Sequence, residues 1–216
     1  MPKPARVVIP GLPHHITHRG NRRFEIFKQS ADCEMYLRLL RKHSERNGVT
    51  FEGYSLMPNH VHLVAIPERE DSLSDMIQEA HGTYASLFNA KYSLTGHTWE
   101  GRFFSCALDP AYFWNALRYV ELNPVRSGLV ARAEFYRWSS AAAHCGLRRD
   151  PLISRSMPDW SRWLADGNSK KVDDYIRDQT LAGHPCGSTD YFKELESRLG
   201  RSILPRPRGR PAKMGS

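Results

Sequence analysis

Two β-prone runs follow each other in the chain almost without a gap. The first run is VTFEGYSLM and the second is HVHLVAIP, and only Pro58 and Asn59 separate them. Short runs rich in valine, isoleucine and aromatic residues are typical of strands, and a Pro-Asn break is typical of a turn. The two runs therefore predict an antiparallel β-hairpin.

Further elements can be placed on either side of this hairpin. HHITHR predicts a strand before it, and GRFFSCALD predicts a strand after it. Apolar residues at helical spacing predict one helix with Ser30 as N-cap and Gly48 as its end, and a second in DSLSDMIQEAHGTYASLFNAKY. The order β-α-β-β-α-β is that of the ferredoxin-like fold, an α+β architecture with one antiparallel sheet and helices on one face.

A third helix is predicted after the last strand. Asp109 is a suitable N-cap and Pro110 a suitable first-turn residue for AYFWNALRYVELN. The helix must end near Asn123, because the following Pro124 disfavours helical geometry at the residue before it. We expect this added helix to carry the side chains that face the sheet.

The character of the sequence changes near residue 148. Residues 1–147 are expected to form the domain just described. Residues 148–204 hold short helical patterns and little strand, which predicts a helical extension. Residues 205–216 are rich in Pro, Arg and Gly, which predicts a flexible basic tail.

Charge and cysteine content narrow the class of partner and the compartment. The formal net charge is +8, which favours a polyanionic partner such as nucleic acid. The four cysteines form no C-x-x-C pair, which argues against a cysteine zinc site and suits the reduced thiols of a cytoplasmic protein. No run approaches the roughly 18 apolar residues of a membrane span.

Two histidines stand at the start of the second hairpin strand, in HVH. Residues i and i+2 of a strand point to the same side, so His60 and His62 present two imidazoles on one face and Val61 lies on the other. Two such nitrogens can bind one divalent cation. The motif is short, and two half-exposed strand histidines without a metal are the alternative interpretation.

The third helix carries a matching set of polar residues. Asn115, Tyr119 and Asn123 are four residues apart and so share a helix face. A histidine pair that holds a cation and a tyrosine hydroxyl together suit phosphodiester cleavage through a covalent link. The alternative is that Tyr119 is an amphipathic tyrosine at the edge of the core.

These motifs and several others occur together in a family pattern. MPNHVHLV followed by RYVELNPVRSGLV resembles the HUH (His-hydrophobic-His) single-tyrosine transposases, and most of all the bacterial REP-associated tyrosine transposases, which are tied to repetitive extragenic palindromes. PGLPHHITHRGNRRFEIF, TWEGRFFS and YRWSSAAAH also match that pattern. The resemblance covers roughly Ile9 to Gly146 and implies the HUH endonuclease fold, in which the third helix is catalytic.

The resemblance also implies a mechanism. His60 and His62 match the metal-binding pair, Tyr119 matches the nucleophile, and Asn123 matches the position of a third metal ligand. The family reaction uses Mg²⁺ or Mn²⁺. Tyr119 would attack a phosphodiester of single-stranded or hairpin DNA, form a 5′-phosphotyrosine and release a 3′-hydroxyl that can attack again. A monomer is expected, with a dimer as the alternative.

Basic residues indicate how DNA would be held. Arginines in the turn after the first strand, before the last strand, beside Tyr119 and in the tail are expected to contact phosphates. They are Arg19, Arg22, Arg23, Arg102, Arg118, Arg126, Arg208 and Arg210. The neighbouring His14, His15 and His18 are interpreted as strand and surface residues rather than a second metal site.

Two other function classes stay open at this point. The first is a module that binds palindromic hairpins with little or no cleavage. The second is an HUH initiator of plasmid or phage replication, against which the small size and the YVELNPVR block argue.

Overall fold

The fold centres on one four-stranded sheet. A computed structural model describes residues 7–203 of the chain. The strands are paired antiparallel throughout, in the spatial order β2-β3-β1-β4, which is the ferredoxin-like order. The strands are β1 His14–Arg19, β2 Val49–Met57, β3 His60–Pro67 and β4 Phe104–Ala107. The predicted α+β fold class is confirmed.

The predicted hairpin is present with a two-residue turn. Met57 of β2 pairs with His60 of β3, so Pro58 and Asn59 alone make the connection. The register shifts between Phe51 and Gly53, which is a β-bulge in β2. The hairpin therefore fixes which face of β3 each side chain occupies.

Two long helices cover one face of the sheet. They are α1 Ser30–Asn47 and α2 Ser72–Tyr92. The cap of α1 is Gln29 rather than the predicted Ser30, because Gln29 and Asp32 form a reciprocal capping box; Gly48 ends the helix at φ 62° as expected. Ile16 and Leu63 point into the apolar core between these helices and the sheet.

The third helix, α3 Pro110–Glu121, packs on the opposite face. Its start is as predicted, since the Asp109 side chain accepts a hydrogen bond from the backbone of Ala111. It ends two residues before Asn123, which opens the short helix α4 Asn123–Arg126. A Cβ atom at Gly53 would lie 2.2 Å from a methyl of Leu117, so this glycine allows α3 to approach β2 closely.

The remaining elements of the described chain are helices. The elements are α5 Ala141–His144, α6 Trp160–Asp166, α7 Lys170–Ala182 and α8 Thr189–Leu199, with short 3₁₀ helices at Asn21–Arg23 and Ala133–Phe135. Helix α7 packs on β4, β1 and α3, so Ile176 shares an apolar core with Val64 and Cys106 of the sheet. The described helices include none with the length and apolar character needed to cross a bilayer.

Buried polar contacts join α3 to the segments that follow it. The fully buried Glu121 carboxylate accepts hydrogen bonds from Ser140, from Nδ1 of His144 at 2.6 Å and from Nε1 of Trp160 at 2.7 Å. A buried carboxylate is tolerated only with such partners. Glu121 therefore anchors α5 and α6 to the helix that carries Tyr119.

Candidate metal and tyrosine site

The two histidines of β3 lie on the sheet face that α3 covers. His62 is 6% exposed and His60 is partly buried, and their ring centroids are 5.0 Å apart. Val61 is fully buried on the opposite face, in the core beneath α1 and α2. The strand alternation predicted from the sequence is therefore observed, although His62 is more enclosed than a half-exposed strand residue.

Each imidazole uses its Nδ1 atom in a hydrogen bond. His60 Nδ1 lies 2.7 Å from Oδ1 of Asn59, whose amide nitrogen donates to the backbone oxygen of Arg23 at 3.3 Å. His62 Nδ1 lies 2.9 Å from Nε2 of His15. Within residues 7–203, neither Nε2 atom takes part in a hydrogen bond. Orientation through one ring nitrogen, with the other left unbonded, is the usual arrangement of histidine ligands.

Both histidines are neutral in this environment. Burial lowers the pKa of His60 to about 4, with a contribution from the Arg19 guanidinium. Burial lowers the pKa of His62 well below its usual value, and the neighbouring histidines, Arg126 and Arg19 add to the effect. Metal binding requires the neutral imidazole, so the site can accept a cation at neutral pH without first losing a proton.

Tyr119 lies directly against this pair. Its ring meets the ring of His62 edge-on, with 5.7 Å between centroids, and the ring of His15 at 5.6 Å. The guanidinium of Arg126 stacks over the tyrosine ring at 4.4 Å from its centroid. Burial raises the pKa of Tyr119, while Arg126 acts in the opposite direction. The phenol is therefore protonated at neutral pH in this conformation, and a cation nearby favours its ionisation.

Asn123 lies one turn after Tyr119 and is 9% exposed. Its amide nitrogen donates to the backbone oxygens of Tyr119, at 3.0 Å, and Val120, at 3.3 Å. The side-chain oxygen makes no hydrogen bond within the part of the chain that the structure describes. An oxygen left over in this way is a suitable ligand for a hard divalent cation.

The ligand atoms of these residues are of the types that suit a cation with open positions. Among residues 7–203, no three His, Cys, Asp or Glu side chains converge on one point. His60, His62 and Asn123 could therefore hold Mg²⁺ or Mn²⁺ only with water or phosphate oxygens as further ligands. Imidazole and amide ligands tolerate Zn²⁺ as well; the phosphate oxygens favour the harder ions.

The arginines predicted to bind DNA fall into two groups. Arg19, Arg22, Arg23 and Arg102 are exposed. Arg22 and Arg23 have left-handed backbone conformations, with φ 52° and 63°, which are strained for residues with a side chain. Arg19 pairs with His60 across β1 and β3, so this exposed basic loop borders the histidine pair.

The second group is committed to contacts within the protein. Arg118 is 7% exposed; its Nε donates to Asn168 at 2.6 Å and its guanidinium stacks on Trp163 at 3.9 Å. Arg126 forms an ion pair with Asp173 of α7 at 3.0 Å. In this conformation Arg118 fastens the extension to α3 rather than facing DNA. Arg208 and Arg210 lie outside the described residues.

The interpretation of the first-strand histidines as surface residues is wrong. His14, His15 and His18 are 0%, 1% and 6% exposed. Both ring nitrogens of His14 are bonded locally, since Nδ1 lies 2.8 Å from the oxygen of Leu12 and Nε2 accepts from the backbone of Ile9. They are buried because helices cover both faces of β1, a central strand.

Two residues of the site were not among the sequence candidates. His15 contacts His62 at 2.9 Å, and its other ring nitrogen lies 2.7 Å from the hydroxyl of Thr180 in α7. The period of the strand places His14 and His15 on opposite faces. That signal shows that one of them must lie on the His62 face, but it does not identify Thr180.

The sheet, the histidine pair and the added helix form a recognised architecture. An antiparallel ferredoxin-like sheet with a His-x-His pair on a central strand, facing a tyrosine on an added helix, is the architecture of the HUH single-tyrosine transposases. The family model described as "Transposase IS200 like" matches residues 9–123. The chain belongs to this family.

One solved structure supports the fold. A REP-associated tyrosine transposase bound to a REP hairpin is similar to this chain with a TM-score of 0.57 and 21% identity, over 74% of this chain and 94% of that one. A putative transposase from Deinococcus radiodurans R1 gives a TM-score of 0.40 and 15% identity, over 59% and 92%. No curated protein matches the chain.

Proposed function

We propose that this protein is a metal-dependent endonuclease and strand transferase that acts on palindromic hairpin DNA through a covalent 5′-phosphotyrosine. One observation carries the proposal: Tyr119 lies edge-on against His62, 5.7 Å between ring centroids, while the Nε2 atoms of His60 and His62 are free of hydrogen bonds within residues 7–203. This juxtaposition supports the proposal, because a tyrosine hydroxyl next to two imidazoles that can bind a cation suits phosphodiester cleavage through a covalent link.

The chain's own residues supply the chemistry as follows. The Tyr119 oxygen attacks the phosphorus, the bond from phosphorus to the 3′ oxygen breaks, and that oxygen takes up a proton. Arg126, stacked on the tyrosine ring, favours the phenolate before attack. When bound, Mg²⁺ or Mn²⁺ would polarise the scissile phosphate and neutralise charge in the transition state. The released 3′-hydroxyl can reverse the step on another end, so strand transfer needs no energy source.

Two surfaces are suited to the DNA. The exposed arginines of the loop after β1 lie next to the histidine pair, since Arg19 pairs with His60, and they can neutralise phosphates together with the exposed Arg102 before β4. A cavity of about 1260 Å³ opens beside Tyr119, between α4 and the extension. Five basic residues line it, namely Arg126, Arg132, Arg162, Lys170 and Arg177, together with four carboxylates, and Arg126 is ion-paired with Asp173. The exposed arginines are therefore the better suited of the two surfaces to bind phosphates. The hairpin-bound relative described above supports a hairpin as the substrate.

The decisive experiment uses the Tyr119→Phe variant and labelled hairpin DNA with Mn²⁺. The wild-type protein should form a band of covalent protein–DNA adduct, and Tyr119→Phe should form none while it still binds the hairpin. Tyr112→Phe is the matched control, because Tyr112 lies on the same helix and packs on Tyr175 at 5.3 Å. A full adduct band from Tyr119→Phe would exclude this tyrosine as the nucleophile.

The same experiment separates the main alternative, a hairpin-binding module with little cleavage. The enclosure of Tyr119, which is 7% exposed, favours that alternative as long as DNA binding does not open the site. Hairpin binding without an adduct from the wild type, in Mg²⁺ and in Mn²⁺, would establish it.

A further inference from the structure

The feature that calls for an explanation is a buried chain of polar groups running from the site into the C-terminal extension. His62 Nδ1 lies 2.9 Å from His15 Nε2, and His15 Nδ1 lies 2.7 Å from the hydroxyl of Thr180. That hydroxyl lies 2.7 Å from the backbone oxygen of Ile176, one turn earlier in α7. His15 and Thr180 are 1% exposed. A buried polar chain is costly unless each of its members is satisfied.

The direction of every hydrogen bond in this chain can be worked out from its far end. A carbonyl oxygen only accepts, so the single hydroxyl proton of Thr180 must go to Ile176. The Thr180 oxygen then accepts from His15 Nδ1–H. A neutral imidazole has one N–H, so His15 Nε2 is an acceptor, and the proton between the two rings belongs to His62 Nδ1.

Two other observations agree with this assignment. His15 is 1% exposed, and its hydrogen-bond partners within residues 7–203 include no carboxylate, so its ring is neutral because an unpaired buried charge is costly. The thiol of Cys106 lies 3.2 Å from the Thr180 oxygen, which has a second lone pair to accept its proton. With this direction, each member of the chain is satisfied and the lone pair of His62 Nε2 is left over.

We propose that Thr180 and His15 form a positioning relay that holds His62 as the Nδ1–H tautomer, the only neutral form whose Nε2 can bind a cation. The proposal rests on the proposed function, because it assigns the relay to the same metal site. Neither residue touches DNA or the cation itself. Since Thr180 belongs to α7, this C-terminal helix helps to set the tautomer of His62.

Two variants of Thr180 in the full-length protein test the relay. Thr180→Val keeps the shape of the side chain and removes the acceptor, whereas Thr180→Ser keeps the hydroxyl. The first measurement is the tautomer of His62 in the metal-free protein, from the ring ¹⁵N shifts of ¹⁵N-histidine-labelled samples, assigned with His62→Gln. The second is Mn²⁺ affinity by titration calorimetry, with thermal unfolding midpoints as the control for folding.

The relay predicts a single Nδ1–H form of His62 in the wild type and in Thr180→Ser. Thr180→Val should show a mixture of tautomers and about 10-fold weaker Mn²⁺ binding, at the lower end of the effects of removing partners of metal ligands. Thr180→Ser should restore the wild-type affinity.

The outcomes that contradict the relay differ from those that contradict the metal site. An Nε2–H form of His62 in the wild type would overturn the relay. The relay would also be overturned if the Thr180→Val protein kept both the wild-type tautomer of His62 and the wild-type Mn²⁺ affinity. If the wild type binds no Mn²⁺, the proposed metal site fails, and the tautomer spectra still decide the relay on their own.

Discussion

Two stacked histidine pairs lie on opposite faces of the sheet and invite comparison. His15 and His62 stack at 5.2 Å between centroids under α3, with 2.9 Å between their bonded nitrogens. His18 and His81 stack at 5.0 Å under α2, with 2.8 Å between theirs. Residue type, separation and burial are thus nearly the same in the two pairs.

The two pairs differ in whether the last ring nitrogen of each has a hydrogen-bond donor. His18 Nε2 donates to the backbone oxygen of Gly101 at 3.2 Å, and its Nδ1 therefore accepts from His81 Nδ1–H. The remaining lone pair, on His81 Nε2, accepts from the hydroxyl of Tyr36 at 2.7 Å. The Tyr36 hydroxyl thus occupies the lone pair of His81 Nε2, and we call His18–His81 the closed pair. On the other face, the corresponding lone pair of His62 has no hydrogen bond within residues 7–203, and we call His15–His62 the open pair.

Removing His60, the more accessible of the two histidines proposed to hold the cation, should have the greatest effect. His60→Ala should lower the cleavage rate about 1000-fold, equivalent to about 4 kcal/mol of lost transition-state stabilisation. The fold should tolerate the change, since His60 is partly exposed and its hydrogen bond to Asn59 is local. Single-turnover cleavage of hairpin DNA measures the effect.

The control for this variant is His97→Ala, which removes an exposed histidine. It should cleave at the wild-type rate. If His60→Ala cleaved within a few-fold of the wild type, the histidine pair would have no part in the chemistry.

Lowering the pH should weaken the fold because its histidines are buried in the neutral form. Burial lowers the pKa of His14 to about 4 and that of His15 to about 3, from 6.5. Folded-state pKa values below the unfolded value mean that stability is fully present above pH 6.5 and is lost as pH falls towards these values. At about pH 5, each of these two histidines should lower the free energy of unfolding by about 2 kcal/mol relative to neutral pH.

Urea unfolding at neutral pH and at about pH 5 measures this loss. Equal free energies of unfolding at the two pH values would show that the histidines are not buried as neutral rings.

Removing the hydrogen bond from Tyr36 to the His18–His81 pair should reduce the stability of the fold and leave the metal site unchanged. Tyr36→Phe removes the donor to His81 Nε2 and leaves a buried acceptor unsatisfied, which should cost about 1–3 kcal/mol. At roughly 2–4 °C per kcal/mol, the unfolding midpoint should fall by several degrees. Calorimetric unfolding and Mn²⁺ titration of the same sample test both parts; a loss of Mn²⁺ affinity would mean that the two pairs are not independent.

The smallest expected effect is that of the third candidate ligand. Asn123→Ala removes one amide oxygen and two local backbone contacts, and should slow cleavage about 10-fold, or about 1.4 kcal/mol. Cleavage rates of Asn123→Ala and His60→Ala, compared at saturating Mn²⁺, rank the ligands. A loss as large as that of His60→Ala would make Asn123 an equal partner in binding the cation.

Much of the fold could be predicted from local signals in the sequence. The turn at Pro58 and Asn59, the cap at Asp109 and the stop at Gly48 each depend on residues a few positions apart, and each appears where expected. The same period-two alternation that placed Val61 in the core placed His60 and His62 on the other face. Local chemistry was sufficient for these elements.

The rest of the site depends on contacts between distant residues. His15 and Thr180 are separated by 165 positions, and no local pattern links them. The sequence predicts a DNA contact for Arg118, because nothing near it in the chain indicates that Trp163 of α6 stacks on its guanidinium. The sequence also does not show that helices cover both faces of β1, and for this reason its histidines are predicted at the surface although they are buried.

Pulsed electron paramagnetic resonance of Mn²⁺ bound to ¹⁵N-histidine-labelled protein can identify the cation ligands directly. We expect couplings from two imidazole nitrogens in the wild type, one in His60→Ala, and two in Tyr36→Phe. Bound Mn²⁺ without histidine nitrogen couplings, or with couplings unchanged in His60→Ala, would contradict the claim that His60 and His62 hold the cation.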